Sequence, residues 1–198
     1  IFYAGFGASV KRCPQGAFTI CTRFHTMDQI LHKMMKESDN LYAESMYYQI
    51  AASTGNRPAS AKSARNVERQ LIRKIGLDPA RYKLADGSGL SLYNYLSAEL
   101  EVKLLRYAYR DENMYQQLKQ SLPIAGVDGT LKKRMKTGYA HGNVKAKTGT
   151  LTGIISLAGY CKAANGHELC FSIINNGIMH GNNARNFADK VCELLCKP

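Results

Sequence analysis

The sequence lacks long apolar runs and a recognisable targeting segment. A membrane-spanning helix needs roughly 20 consecutive apolar residues, and no stretch of the 198 residues approaches that length. The opening segment IFYAGFGASVKR also lacks the ordered charged, apolar and small-residue regions of a secretory signal peptide. We therefore expect a chain that starts inside a domain, as part of a longer protein.

Metal-binding cysteine pairs are absent too. The six cysteines form no C-x-x-C pair, and the five histidines add no spacing typical of a zinc site. We therefore expect no metal or other cofactor. Cys192 and Cys196 lie four residues apart on one face of a predicted helix, where an easy disulfide is out of reach, so we expect two packed thiols. The redox compartment stays open.

Acidic residues are scarce. The 15 Asp and Glu residues are outnumbered by 27 Lys and Arg residues, which gives a formal net charge of +12. This excess favours anionic partners such as nucleic acid, acidic lipid surfaces or acidic cell-wall polymers. The basic residues are scattered along predicted helices and do not cluster with aromatic residues on one element, so we expect no nucleic-acid partner. With 45% hydrophobic residues, the chain is apolar enough to bury a real core.

The first two thirds of the chain is predicted to be helical. Apolar residues recur at helical spacing over about 27–34, 41–52, 67–75 and 91–110, with GNRPAS as a loop and DGSG as a turn between them. The triplet Ser-Asp-Asn lies at the junction of the first two helices. Ser38 either caps the second helix through its hydroxyl, or faces a cleft as a proton-handling group.

Strands are predicted only after the Gly-rich stretch that follows Pro123, in which a short helix lies at most around 131–135. Alternation begins near Val144 and predicts a first strand. Two apolar runs, IISLAGYC and ELCFSII, then flank Asn-Gly, which is typical of a hairpin turn because both residues accept positive φ. A turn centred there places Tyr160 opposite Phe171.

Both faces of this hairpin are predicted to be apolar, so helices must cover both sides of the sheet. In this register one face carries Leu157, Cys161, Cys170 and Ile174, and the other carries Ala158, Tyr160, Phe171 and Ile173. One cover is NNARNFADKVCELLC, which has an apolar stripe behind an Asn cap. We expect a mixed α/β (α+β) fold, with a helical lobe over about 25–122 and an antiparallel sheet with the last helix over about 123–198.

The segment AKTGTLTG carries a lysine on the first predicted strand. Strand alternation directs Lys147 away from Ala146 and Thr148. The ammonium attracts a terminal carboxylate, the Thr148 hydroxyl bonds to it, and Gly149 lets a peptide lie close against the strand edge. The same three letters occur at 136–138, but in a Gly-rich stretch without alternation, so we interpret that copy as a coincidence.

Four motifs, SDNLYAES, LADGSGLS, GVDGTLKKRM and GNVKAKTGTLTGIISLAGY, occur in one order along the chain. Together they resemble the D-alanyl-D-alanine carboxypeptidases of the penicillin-binding protein 4 type, from about His25 to the final helix. The resemblance implies the C-terminal portion of a β-lactamase/transpeptidase-like fold. It also implies a penicillin-recognising serine hydrolase that acts on peptidoglycan peptides in the periplasm or cell envelope.

The resemblance assigns roles to individual residues. Ser38 would relay a proton between the base and the departing D-alanine amine, and Asn40 would hold the substrate's amide. Lys147 and Thr148 would bind the terminal carboxylate of a stem peptide or of a β-lactam. The backbone N–H of Thr150 would supply one half of an oxyanion hole.

The nucleophile motif of that family, S-x-x-K, is missing from the sequence. No serine is followed by a lysine three residues later; Thr130 and Lys133 have the spacing but are not the family's nucleophile pair. We therefore expect the intact protein to be the enzyme and this chain alone to be inactive. The alternatives are an inactive fragment or binding module that keeps the carboxylate pocket, and a β-lactamase of the same fold, for which no deacylating base is found.

Two further expectations concern the surroundings of the site. Asp86 and Ser88, in the DGSG turn, are expected to have a structural role near the cleft. Related folds complete their sheet with N-terminal strands, so the edge at 168–174 would be bare in this chain. We expect either a homo-oligomer or the N-terminal half of the longer protein to cover it.

Overall fold

The computed structural model describes residues 14–55 and 58–198. Its helices are α1 (Met27–Lys36), α2 (Asn40–Ala52), α3 (Ala61–Lys74), α4 (Ala98–Tyr109), α5 (Glu112–Ser121) and α6 (Gly181–Cys196). Its strands are β1 (Lys145–Leu151), β2 (Ile154–Lys162) and β3 (Glu168–Asn176), and short 3₁₀ turns lie at Pro79–Arg81 and Gly129–Leu131. The expected α+β fold class is confirmed, because a helical lobe precedes an antiparallel sheet and a final helix.

Polar side chains set where α1 to α5 begin. Each of these helices follows a residue whose side chain accepts a hydrogen bond from a backbone N–H of the first turn, which satisfies a donor that the helix itself leaves unpaired. These residues are Thr26, Asp39, Ser60, Ser97 and Asp111. The predicted helices around 27–34, 41–52 and 67–75 are therefore found, with ends that shift by a few residues.

The prediction of one helix over 91–110 is wrong in its first part. α4 begins only at Ala98, because Ser97 caps it. Before that point Tyr95 pairs with Lys83 through two backbone hydrogen bonds of 2.7 and 2.9 Å. α5, which follows directly, was missed because ENMYQQLKQS carries few apolar residues.

The sheet has the order β1-β2-β3, with both pairs antiparallel. On one face, α6 covers a core that includes Leu157, Cys161, Phe171, Ala188, Cys192 and Cys196. On the other face, the helical lobe packs on Tyr160, which is 1% exposed and donates a hydrogen bond from its hydroxyl to the Leu105 carbonyl at 2.7 Å. Helices thus cover both faces, as the apolar pattern of both faces requires.

The predicted hairpin register is wrong by one residue. Tyr160 lies opposite Cys170, and Phe171 lies opposite Gly159. The cause is the turn: the backbone N–H of Ala163 donates to the His167 carbonyl at 2.9 Å, so the loop contains three residues and not two.

The turn differs because only one of its two expected residues has positive φ. A two-residue turn of the expected type requires both central residues to have positive φ. Gly166 does, with a φ of 84°, but Asn165 does not. The shift exchanges the face partners. Leu157 and Cys161 share a face with Phe171 and Ile173, and Ala158 and Tyr160 share a face with Cys170 and Ile174.

The start of α6 also differs from the prediction. His180 precedes the helix without a capping side-chain bond, so the expected Asn cap is wrong; Asn182 lies in the first turn and accepts from Arg185 Nη1 at 3.0 Å. Of the predicted apolar stripe, Ala184 and Ala188 are buried, Val191 and Leu195 are half-buried, and Phe187 is 54% exposed. An ion pair of 2.6 Å between Arg134 and Asp189 joins the helix to the loop before the sheet.

The two cysteines of α6 are buried and unbridged. Cys192 and Cys196 pack in the same core as Cys161, and none of the cysteines in the described part of the chain forms a disulfide. Burial raises the pKa of the Cys192 thiol to about 12. The expectation of packed thiols is therefore met.

The outer edge of β3 is unpaired within residues 14–55 and 58–198, where β3 pairs with β2 alone. Over the same residues, no helix combines the length and the apolar content that a membrane crossing needs.

Candidate active site

The corner between α1 and α2 presents Ser38. Only three residues separate the end of α1 at Lys36 from the start of α2 at Asn40. The cap of α2 is Asp39, whose carboxylate accepts from the Tyr42 backbone N–H at 3.1 Å, so the interpretation of Ser38 as the cap is wrong. Ser38 has a φ of 58°, an uncommon conformation for a residue with a Cβ, of the kind that collects at functional sites.

Lys147 on β1 meets this corner. Its ammonium donates to the Ser38 hydroxyl at 2.7 Å and to the Thr148 carbonyl at 2.7 Å. In the described part of the chain no carboxylate lies within ion-pair distance of it. Burial lowers the pKa of Lys147 from its ordinary value of 10.5, because the charged form loses hydration. The structure thus brings together two residues that are 109 positions apart in the sequence.

A second lysine lies close to Lys147 on β1. Lys145 lies two positions earlier on the same face of β1. Burial, and then the neighbouring charges of Lys119 and Lys36, lower the pKa of Lys145. Lys119 and Lys36 are themselves paired, with Glu168 at 2.6 Å and with Asp128 at 2.5 Å.

The edge of β1 that faces away from β2 has no strand paired with it at Thr148 and Thr150 among the described residues. Near its start, the Ala146 backbone N–H points away from β2 and donates to the Pro123 carbonyl at 3.0 Å. Strand geometry alternates the direction of successive N–H groups, so those of Thr148 and Thr150 point to the same side as that of Ala146. Past Ala146 no strand pairs on that side within the described residues. An extended peptide or an oxyanion can therefore reach the Thr150 N–H.

The remaining two predicted residues lie on the same two elements, Asn40 on α2 and Gly149 on β1. Asn40 is the first residue of α2 and is exposed. Gly149 lies opposite Ser156 on β2, and a Cβ built on it would lie 2.2 Å from the Ser156 hydroxyl oxygen. A glycine is therefore needed there if the serine keeps its position.

The sequence analysis missed the part that Lys36, Asp128 and Thr130 take in this region. Thr148 Oγ1 donates to Thr130 Oγ1 at 2.8 Å. The Lys36 ammonium pairs with Asp128 at 2.5 Å, and its side chain is only 7% exposed. The motif GVDGTLKKRM was the available signal for the turn, but nothing in the sequence marks Lys36 as a buried lysine.

The DGSG turn is tied to α2 one helical turn beyond Asn40. The Glu44 carboxylate accepts from the backbone N–H groups of Gly87 and Ser88, at 3.0 and 2.9 Å. Asp86 accepts four hydrogen bonds, from Ser88, Gly89, Ser91 and Asn94. These contacts hold the turn in place and agree with a structural role.

The other K-T-G tripeptide lies outside the sheet. Residues 136–138 form a loop, in which Gly138 has a φ of 87°. The next two backbone N–H groups, of Tyr139 and Ala140, donate to the Glu193 carboxylate of α6 at 2.7 and 2.9 Å. This copy has no contact with Ser38, whose hydroxyl bonds to Lys147.

Metal binding is not evident from the described residues, among which no three His, Cys, Asp or Glu side chains cluster closely enough to hold an ion. The groups that lie around Ser38 and Lys147 are hydroxyls, an ammonium and backbone N–H groups, which are donors that suit an anionic ligand.

Comparison with known proteins decides the family. The model of the D-Ala-D-Ala carboxypeptidase 3 (S13) family matches residues 14–197. The chain belongs to this family. The resemblance seen in the four sequence motifs is thereby confirmed, and the chain is of the penicillin-binding protein 4 type.

Two curated relatives of this family member are carboxypeptidases. D-alanyl-D-alanine carboxypeptidase DacB of Haemophilus influenzae is 36% identical over 157 residues, which are 78% of this chain and 33% of that protein. The D-alanyl-D-alanine carboxypeptidase of an Actinomadura species is 40% identical over 156 residues, 76% of this chain and 28% of that protein. The chain thus spans about a third of the length of these relatives.

Solved structures show the same relationship. The crystal structure of penicillin-binding protein 4 from Haemophilus influenzae has a TM-score of 0.74 and 32% identity, and covers 83% of this chain and 39% of that one. A second structure of that protein, complexed with a novel β-lactam, has a TM-score of 0.72. The TLA-3 extended-spectrum β-lactamase, with 17% identity and a TM-score of 0.59, shares the fold alone.

Proposed function

We propose that these 198 residues supply the S-x-N and K-T-G parts of the active site of a serine-type D-Ala-D-Ala carboxypeptidase/endopeptidase. The enzyme would act on peptidoglycan peptides through an acyl-enzyme. The 2.7 Å hydrogen bond from Lys147 to Ser38 carries this proposal, because it joins the helical corner to the strand at one hollow. Had these residues lain on opposite sides of the molecule, the shared site would not exist.

The first proposed task is to bind the substrate's terminal carboxylate. Lys147 has no carboxylate partner among the described residues, so its charge is available for an incoming anion. Thr148 adds a hydroxyl donor beside it, and Gly149 leaves room for the peptide backbone against the strand. A charge-assisted bond of this type is stronger than one between neutral groups.

The second proposed task is proton transfer. Ser38 Oγ accepts the Lys147 hydrogen bond, so the hydroxyl proton of Ser38 remains available for donation to a departing amine. Asn40, on the same corner, would hold the substrate amide. The outward-pointing Thr150 N–H would stabilise the negative charge that develops on the carbonyl oxygen during attack.

The nucleophile and its base would have to come from residues outside these 198. No serine in the chain has a lysine three residues later, and Thr130, which has that spacing to Lys133, is bonded to Thr148 instead. We therefore expect this chain alone to remain unlabelled by β-lactams, and the longer protein that contains it to be acylated.

The surroundings of the intact enzyme are part of the same proposal. Substrates of this class belong to the cell wall, so the protein would act in the periplasm or cell envelope. β-Lactams would bind where the stem peptide binds. The free edge of β3 would be covered by a strand from the rest of the protein or by a second copy of the chain.

Labelling with a fluorescent penicillin tests the proposal. The protein with its S-x-x-K segment should be labelled covalently, the 198-residue chain should not, and Lys147→Met or Ser38→Ala in the longer protein should slow labelling strongly. Lys136→Met, in the second K-T-G tripeptide, is the matched control and should label at the wild-type rate. Equal rates for the Lys147 and Lys136 variants would contradict the proposed site.

A noncatalytic binding module is the second candidate function, and Lys147 favours it, because this lysine has no carboxylate partner among the described residues and could hold an anion without any nucleophile. It predicts reversible binding of N-acetyl-D-alanyl-D-alanine without any covalent labelling, even in the longest form of the protein. Covalent labelling of that form would exclude it.

A further inference from the structure

The turn Asp128-Gly129-Thr130 touches both halves of the site. Thr130 accepts the hydrogen bond of the Thr148 hydroxyl on β1, at 2.8 Å. Asp128 pairs with Lys36, the last residue of α1, at 2.5 Å. One three-residue turn is thus bonded to the strand that carries Lys147 and to the helix that leads into Ser38.

The Lys36 end of the bond to α1 is buried, whereas the Asp128 side chain is 38% exposed. The Lys36 side chain is 7% exposed, and removing such an ammonium from water is costly unless it is paired. Asp128 uses its second oxygen to accept the Ile124 backbone N–H at 2.7 Å. Gly129 fits closely beside α1, since a Cβ built on it would lie 2.7 Å from the Lys36 carbonyl oxygen. These contacts leave the turn little freedom to move relative to the Ser38 corner.

We propose that the Asp128-Gly129-Thr130 turn is a third part of the carboxylate pocket, in which Thr130 positions the Thr148 hydroxyl and the Lys36–Asp128 pair fixes the turn to the Ser38 corner. This inference rests on the proposed function, because it takes the Thr148 hydroxyl to be a donor to the substrate carboxylate.

The single proton of each threonine hydroxyl assigns a specific role to Thr130. A threonine hydroxyl has one proton, and in the structure Thr148 donates that proton to Thr130. For Thr148 to donate to a carboxylate, the pair must reverse, so that Thr130 donates to Thr148 and Thr148 donates to the ligand. Such a chain of two bonds strengthens the outer donor. Serine at 130 can do the same, whereas valine cannot.

The test compares Thr130→Val and Thr130→Ser with Thr137→Val, a control in the exposed second K-T-G tripeptide. The probes are N-acetyl-D-alanyl-D-alanine and its C-terminal carboxamide, measured by equilibrium binding and, in the longer protein, by KM and kcat for D-alanine release. We expect Thr130→Val to weaken carboxylate binding about tenfold through KM, and carboxamide binding less than about twofold. Thr130→Ser and Thr137→Val should remain near wild type.

A second variant examines the bond to α1. Asp128→Asn keeps the shape of the side chain and removes its charge. Because Asp128 acts through Thr130, the double variant Asp128→Asn, Thr130→Val should bind the carboxylate no more weakly than Thr130→Val alone. If the double variant loses as much binding free energy as the two single variants lose together, this connection is contradicted.

The outcomes separate this inference from the proposed function. Equal weakening of both peptides by Thr130→Val, together with a lower melting temperature, would mean a structural role only and would overturn the inference. A wild-type protein that binds the dipeptide but is never acylated by fluorescent penicillin would contradict the proposed function. In that case the equilibrium-binding measurements on the Thr130 variants would still test the role of Thr130. A wild-type protein that binds neither peptide would overturn both.

Discussion

The two K-T-G tripeptides of this protein have the same letters and opposite surroundings. At 147–149 the tripeptide lies on β1, where the lysine is partly buried and bonded to Ser38. At 136–138 it lies in an exposed loop that is held by Glu193 of α6. The three residues alone therefore do not determine their surroundings. The strand does, because it brings Lys147 against the helical corner that carries Ser38.

The largest expected difference between the two copies is in anion binding. Lys147→Met removes the charge that would meet a carboxylate, and we expect a loss on the order of 2 kcal/mol or more, which is at least about 30-fold in affinity. Lys136→Met should change the affinity less than twofold. Titration of both variants with N-acetyl-D-alanyl-D-alanine measures the difference, and a shared loss would show that general charge, not position, attracts the ligand.

Replacement of the two glycines should separate activity from stability. Gly149→Ala forces a Cβ against the Ser156 hydroxyl and into the site, so we expect weaker carboxylate binding. Gly138→Ala, at a φ of 87°, should instead cost about 1–2 kcal/mol of folding free energy and leave binding unchanged. Melting curves combined with ligand titration test this, and the comparison fails if Gly138→Ala weakens binding as much as Gly149→Ala does.

The lowered pKa of Lys147 predicts how binding depends on pH. The carboxylate needs the ammonium, so affinity should fall as the pH rises through the pKa of Lys147, which burial places below the 10.5 of an exposed lysine. Lys147→Arg should move this loss to higher pH. A wild-type affinity that stays constant up to pH 10.5 would argue against Lys147 as the partner of the carboxylate.

The same lowered pKa has a consequence for stability. A lysine whose pKa is lower in the folded state opposes folding while it is charged; this cost is fully present below the folded pKa and is gone once the pH exceeds the ordinary value of 10.5. Lys147→Met should therefore leave the free energy of unfolding at pH 7 unchanged or raise it, even though binding is lost. Chemical denaturation at pH 7 measures this, with Lys136→Met as the neutral reference. A marked destabilisation would mean that Lys147 serves the fold instead.

The smallest expected effect concerns the K-T-G tripeptide at 136–138, which Glu193 holds in place. The Tyr139 and Ala140 backbone N–H groups lower the pKa of Glu193 from its ordinary value of 4.5. This contribution to stability is present above pH 4.5 and is lost as the pH falls through the lowered pKa. Glu193→Gln should flatten that part of the acid-denaturation profile and leave ligand binding unchanged. An unaltered profile would mean that the loop does not depend on the carboxylate.

Local patterns predicted the elements better than their limits. Helical periodicity gave α1, α2, α3 and α6, and strand alternation gave the sheet. The predicted ends of the helices and the register of the hairpin were wrong where a single residue determines them. Ser97 delays α4 to Ala98, Asp39 takes the capping position that Ser38 was one candidate for, and the turn at Gly166 adds a residue that shifts the hairpin register.

The site could be predicted in its parts but not in its arrangement. The motifs identified Ser38 and Lys147, because their residue types suit proton transfer and carboxylate capture. The burial of Lys36 could not be predicted, since Lys36 is one of 27 basic residues and no sequence pattern distinguishes it from the exposed ones. Thr130 was seen only as a residue with the wrong spacing for a nucleophile, because its bond to Thr148 spans 18 positions and depends on how the turn packs.

The sequence by itself determined the family, most of the helices, the three strands, and the chemical groups available for binding an anion. These follow from residue type and short spacing, which local physics fixes. Only the tertiary structure decided which K-T-G tripeptide faces Ser38, that Lys147 is partly buried beside a hydroxyl with no carboxylate of the described residues within ion-pair distance, and that a turn ties both halves together. Two of the contacts behind these features, Lys147 with Ser38 and Lys36 with Asp128, join segments more than 90 residues apart, and no local pattern carries that information.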